Sequence, residues 1–236
     1  NLEELSFNGN FNDEMSNIKE NLIELLSISA PKRNSISSPK LKKLSIAGTP
    51  GKTGNFLHEK ACEILKELEK LDFCSQIVYL DVSNNHAGNR ILDSIKSILH
   101  SKTMHVQTIL FDGNSITNLD GLNKLADAAD ECKSLITFPF PINDAKEMIK
   151  RKSGDRTLIS ELSEIQIKFI KATNKHRNEL HIQDDLPFTA DESVKKLVEG
   201  IMKDARKESN IGSKDYLKHH TKFFLFLSKE CQVQES

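Results

Sequence analysis

Gly51-Lys52-Thr53 offers a phosphate-binding signature, set in the run IAGTPGKTG over 46–54. A Walker loop wraps a phosphate with backbone N–H groups and needs Gly, four residues, then Gly-Lys-Thr. That spacing calls for Gly at position 46, which is Ile46, and Gly48 stands two residues too close. No nucleotide site is expected at Lys52. The 8 histidines make no metal pair. His176 and His181 are five apart, not the four that align two ligands on a helix. His219 and His220 are adjacent and point in different directions on a helix. Neither HExxH nor GxSxG occurs. Cys62, Cys74, Cys132 and Cys231 lie far apart with no CxxC pair, so zinc-ribbon and thioredoxin chemistry lack their ligands. Reduced thiols and solvated or partly buried histidines are expected, with no catalytic residue, no cofactor and no metal. The chain reads as a non-enzyme.

Composition narrows the partners. The 236 residues carry 33 basic and 34 acidic side chains, a formal charge of -1. This excludes a strongly basic nucleic-acid protein as a whole-chain reading. No apolar run approaches the ~20 residues of a bilayer span, and membrane contact is not indicated. Hydrophobic content is 37% and aromatic content 6%, with no Trp. That is lean for a globule and suits an elongated chain with more surface to cover.

What positions these residues is a repeat. The template LxxLxLxxN fits five times. Its matches are Leu2, Leu5, Phe7, Asn10; Leu41, Leu44, Ile46, Thr49; Ile77, Leu80, Val82, Asn85; Val106, Ile109, Phe111, Asn114; and Leu135, Phe138, Phe140, Asn143. The starts at 2, 41, 77, 106 and 135 give spacings of 39, 36, 29 and 29. In such a repeat, alternate residues of a short strand point inward. The Asn side chain then satisfies backbone groups that the turn leaves unpaired. Stacked units place these Asn side chains in a ladder.

The intervals carry helical spacing. Helices are expected near 13–27, over 55–70 with Phe56, Ala61, Ile64, Leu65 and Leu68 inward, over 89–101, and over 119–132. Ala30–Lys40, with Pro31, Pro39 and three serines, reads as an excursion loop. Beyond Asn143 come helices over 144–152, 155–182, 191–207 and 214–230. The expected fold class is α/β: a leucine-rich-repeat solenoid of ribonuclease-inhibitor-like strand-turn-helix units over 1–143, then an α-helical cap over 144–236. With its first match at Leu2, the solenoid is expected to be a stretch of a longer array.

A repeat protein binds on its concave face. The strand residues between the inward positions are mixed, small and mildly polar. Lys43, Tyr79, Asp81, Thr108, Leu110 and Asp112 are the candidate partner contacts, with Tyr79 and Leu110 as anchors. In the helical part, Leu158, Leu162, Ile165 and Phe169 form an apolar stripe. Phe223, Phe224 and Phe226 cluster beside Lys218, His219, His220 and Lys222. Both sets are candidates for self-association.

Val106 to about Arg177 resembles the end of the leucine-rich-repeat domain of the CARMIL proteins, linkers of actin capping protein and myosin I. The strand VQTILFDGNSIT, the helix LDGLNKLADAADECKSL, the final strand TFPFPINDAKEMIK with Pro139 and Pro141, and the helix ISELSEIQIKFIKATNKHRNEL carry the likeness. The resemblance implies a curved scaffold in actin-cytoskeleton regulation, followed by a helical region that makes a homodimer. It implies a place in the cytoplasm, at the cytoskeleton or cell cortex. That family's lipid-binding domain and its capping-protein-binding motif are not visible in these residues. The alternative is a ribonuclease-inhibitor-like or GTPase-activator-like regulator of another partner, for which acidic residues beside the strands, such as Asp81 and Asp112, would matter.

Overall fold

The computed structural model describes residues 3–11, 17–28, 41–50, 55–71, 75–152 and 155–180. Lys52 and its neighbours, the excursion at 30–40, the helices expected over 191–207 and 214–230, and Phe223, Phe224 and Phe226 lie outside the described residues.

The described residues form a mixed α/β fold with a four-stranded parallel sheet and six helices. The strands are β1 (Glu4–Ser6), β2 (Lys43–Ser45), β3 (Tyr79–Asp81) and β4 (Thr108–Leu110), adjacent in chain order. Each is followed by a helix: α1 (Ile18–Ile28), α2 (Glu59–Leu68), α3 (Arg90–His100) and α4 (Leu119–Glu131). The helices α5 (Ile142–Arg151) and α6 (Arg156–Glu179) complete the order. Parallel neighbours need such a crossover, because a tight turn cannot return the chain in the same direction.

The register aligns the inward side chains. Leu5, Leu44, Leu80 and Ile109 pair across the sheet. Leu44, Leu80 and Ile109 are fully buried, as are Ile46, Val82 and Phe111 two residues on. The helices close over them with the expected faces, Ile91, Leu92, Ile95, Ile98 and Leu99 on α3 and Leu122, Leu125, Ala126 and Ala129 on α4. Phe56 departs from expectation. It is half-buried and precedes α2, and Leu57 takes the buried place. Asn85 holds the Leu57 and His58 N–H groups, and His58 adopts a left-handed φ of 49°, so the chain turns there before it can coil.

The expected fifth strand does not form. A single parallel bridge joins Thr108 to Thr137. The Thr137 N–H donates to the Gln107 carbonyl. Donors toward a parallel neighbour recur every second residue, so the next two would be residues 139 and 141. Both are prolines, with no N–H to give. The chain leaves the sheet and enters α5 at Ile142, with Pro141 as its N-cap.

Helix α6 lies against α4. Asp155 starts it, its carboxylate accepting the Thr157 and Leu158 N–H groups. Leu158, Leu162, Ile165 and Phe169 are between 1% and 5% exposed. Phe169 stacks on Phe138 and Phe111, with ring centroids 5.0 and 6.1 Å away, and meets the Phe140 ring edge-on at 5.8 Å. The apolar surface of these four residues, selected for self-association, is covered within the chain. His176, expected to be solvated or partly buried, is 1% exposed. Each of its ring nitrogens lies 3.1 Å from a backbone carbonyl, of Leu135 and of Asp130, tying α6 to the end of α4. Among the described residues, no helix is long and apolar enough to cross a membrane.

Candidate functional site

The strand residues that point away from the core form one face. Lys43, Tyr79 and Thr108 pair in one line across it, and Ser45, Asp81 and Leu110 in the next. The structure thus brings together five of the six residues selected from sequence. Lys43 is exposed and forms an ion pair with Glu4, and Lys42 lies 3.6 Å from Glu3. These pairs neutralise the β1–β2 end. Tyr79 is half-buried; burial and then the Asp81 charge push its phenol above the usual range. Thr108 and Leu110 are half-buried beside it. Asp81 accepts from the Ser83 N–H at 3.0 Å, the Ser83 hydroxyl at 2.6 Å and the Ser45 hydroxyl at 3.1 Å.

Asp112, the sixth residue selected, serves the helix that follows. Its carboxylate accepts the N–H groups of Gly113, Asn143 and Asp144 at 2.8, 2.9 and 3.2 Å, and the Asn143 side-chain amide at 2.8 Å. Two of these donors open α5, so Asp112 caps that helix. Burial pushes its carboxyl upward, against these donors.

The ladder exists in part. Asn85 is fully buried; its amide donates to the Ile46 and Val82 carbonyls and its oxygen accepts the Leu57 N–H. Asn114 repeats this one unit on, donating to the Val82 and Phe111 carbonyls and accepting from Ala87. Asn10 is exposed, and among the described residues its side chain reaches the Asn8 carbonyl alone, because no earlier turn stands beside it there. At the last position Asn143 is exposed, and Asp144 is the buried residue. Entry into α5 has rotated the chain by one residue. Asp144 accepts the Asn114 N–H at 3.0 Å and the Ile116 N–H at 3.1 Å.

Burial, aided by the Asp112 charge, pushes the Asp144 carboxyl from 3.8 up to about 6. The folded chain therefore holds a proton there between about pH 4 and 6 that the unfolded chain has released. This contribution to stability is fully present below pH 3.8 and is lost as pH rises through about 6. The stability difference between the native protein and Asp144→Asn should fall by roughly 2–3 kcal/mol between pH 4 and 7. Urea unfolding of both proteins across that range checks it, and a difference independent of pH would refute it.

Sequence reasoning missed a second cluster. His58, Asn84, His86 and Ser115 all adopt left-handed φ values, from 49° to 60°, without being glycine. The Phe56 ring stands edge-on to both histidine rings, at 5.6 and 4.3 Å, and His86 Nδ1 lies 2.8 Å from the Ser115 hydroxyl. Burial pushes the His86 imidazole downward. Repeated His, Asn and Ser at turn positions was the available signal. A cavity of about 320 Å³ lies nearby, lined by Phe11, Ile18, Phe56, Leu57 and His58 among others. None of the residues selected for partner contact lines it. No group of three or more His, Cys, Asp or Glu side chains among the described residues is placed to hold a metal ion.

A scan of protein-family models finds no match to this chain, and a search of curated proteins finds none either.

Proposed function

We propose that this chain is a non-enzymatic leucine-rich-repeat scaffold that binds protein on the concave face of its sheet. The observation that carries this reading is the shared register. Four successive parallel strands superpose the template positions, and Asn85 and Asn114 occupy the same ladder place in neighbouring units. The sheet face then presents Lys43, Tyr79, Thr108 and Leu110 side by side, with Tyr79 as the aromatic anchor. The CARMIL resemblance supplies the candidate partners, actin capping protein and myosin I, and a place at the cytoskeleton. Self-association rests on Phe223, Phe224 and Phe226, because the α6 stripe is covered within the chain. The regulator alternative is weakened, because Asp112 caps α5 and leaves Asp81 as the acidic contact.

The test is direct binding of purified capping protein and myosin I to the 236-residue chain. Tyr79→Ala should weaken the interaction by about tenfold or more, as loss of an anchor does. Native affinity in both Tyr79→Ala and Leu110→Ala would remove the sheet face from the reading. Failure of both partners to bind would remove the actin assignment.

A further inference from the structure

We infer that the sheet face takes a basic segment of its partner, with an arginine or lysine stem lying along Tyr79 and Leu110 and its charge at Asp81. This rests on the scaffold reading above and names the chemistry of the partner. It begins from the charges on the face. Glu3 and Glu4 are matched by Lys42 and Lys43, and Asp112 is matched by the N-terminus of α5. Asp81 is not matched by a cation among the described residues. Its donors, the Ser83 N–H, the Ser83 hydroxyl and the Ser45 hydroxyl that it shares with the Asn8 side-chain oxygen, are all neutral. No ion pair to it occurs among the described residues. These donors hold the carboxylate in one orientation and, being neutral, do not compensate its charge.

A partner that covers this face removes Asp81 from water. Desolvating a carboxylate without a counter-charge is strongly unfavourable, so an acidic or purely apolar partner is penalised there. A cation reverses the sign of that effect. The surroundings suit one. Tyr79 precedes Asp81 by two residues on the same strand and the same face, and an aromatic ring attracts a guanidinium or ammonium group. Leu110 pairs with Asp81 in the register and gives the aliphatic stem an apolar surface. Pro139 is exposed beyond it.

The probe is the peptide acetyl-Gly-Arg-Gly-Arg-Gly-Arg-Gly-amide, titrated into the ¹⁵N-labelled 236-residue chain. The same peptide with citrulline in place of arginine keeps the shape and removes the charge. The expected result is saturable amide shifts around Tyr79, Asp81 and Leu110 with the arginine peptide and none with citrulline, weakening as salt is raised. Asp81→Asn should weaken binding by about tenfold. Lys43→Met removes the nearby cation and should tighten it by roughly two- to threefold, which keeps the test decisive if Asp81→Asn folds poorly. Equal binding of the citrulline peptide, shifts confined to another surface, or unchanged affinity in both variants would overturn the inference. The two readings fail separately. A protein partner lost with Tyr79→Ala but retained at full affinity by Asp81→Asn leaves the scaffold standing and removes the basic segment. A partner indifferent to Tyr79, Leu110 and Asp81 alike removes both.

Discussion

Asn85→Ala is expected to lower the unfolding free energy by about 3–5 kcal/mol. The size follows from what the side chain satisfies. Its amide serves the carbonyls of Ile46 and Val82, and its oxygen serves the Leu57 N–H. All three partners belong to residues with no more than 2% exposure, where water cannot replace the lost bonds. Each unsatisfied buried backbone group costs about 1–3 kcal/mol, and a small cavity adds to the loss. Asn114→Ala should behave alike, since its amide serves Val82 and Phe111 in the same way. Asn143→Ala is the control. That side chain is exposed and bonds only to Asp112, so its removal should cost no more than about 1 kcal/mol. Equilibrium urea unfolding measures all three. Equal losses for Asn85 and Asn143, or a loss below about 1 kcal/mol for Asn85, would show that the buried ladder is not what holds successive turns together.

Phe169→Ala should lose about 3–5 kcal/mol without changing the oligomeric state. Phe169 is 1% exposed and touches three aromatic rings, from Phe111 after β4 and from Phe138 and Phe140 beyond it. Its removal opens a cavity at the point where the last strand, the proline-interrupted segment and α6 meet. The cost combines lost burial with that cavity, and the stacked rings add to it. Phe169→Leu, which refills most of the volume, should lose considerably less. Thermal unfolding gives the ranking, and sedimentation of the same variants separates the two roles of α6. A variant that keeps its stability but dissociates from dimer to monomer would restore the stripe as an interface and contradict the packing described above.

The periodic parts of the fold were legible before the structure. Alternation at Leu44 and Ile46, Leu80 and Val82, and Ile109 and Phe111 marked the inward faces, because a strand has only two sides. The helical faces of α3 and α4 were legible for the same reason, at a period of 3.6. Irregular places were less so. The proline pair at 139 and 141 looked like an unusual strand, although each proline removes the bond that would have made it one. Phe56 fitted a helical spacing, yet a left-handed turn at His58 starts α2 later. Of the candidate face, Lys43, Tyr79, Asp81, Thr108 and Leu110 were found by counting positions between inward residues. Asp112 occupies an equivalent position, and its capping of α5 is not legible there, because pattern alone does not show where a helix begins.

Sequence by itself therefore determined which side chains face inward, where most helices lie and that the strands follow one another in order. These depend on local period, which each segment carries alone. Tertiary structure decided the rest. It made Asp144 the buried partner of the fourth turn in place of Asn143, turned Asp112 into the cap of α5, and closed α6 over the phenylalanine cluster. Each outcome depends on which backbone donors or apolar surfaces remain unmatched once distant segments meet, and that inventory does not exist until the chain has folded.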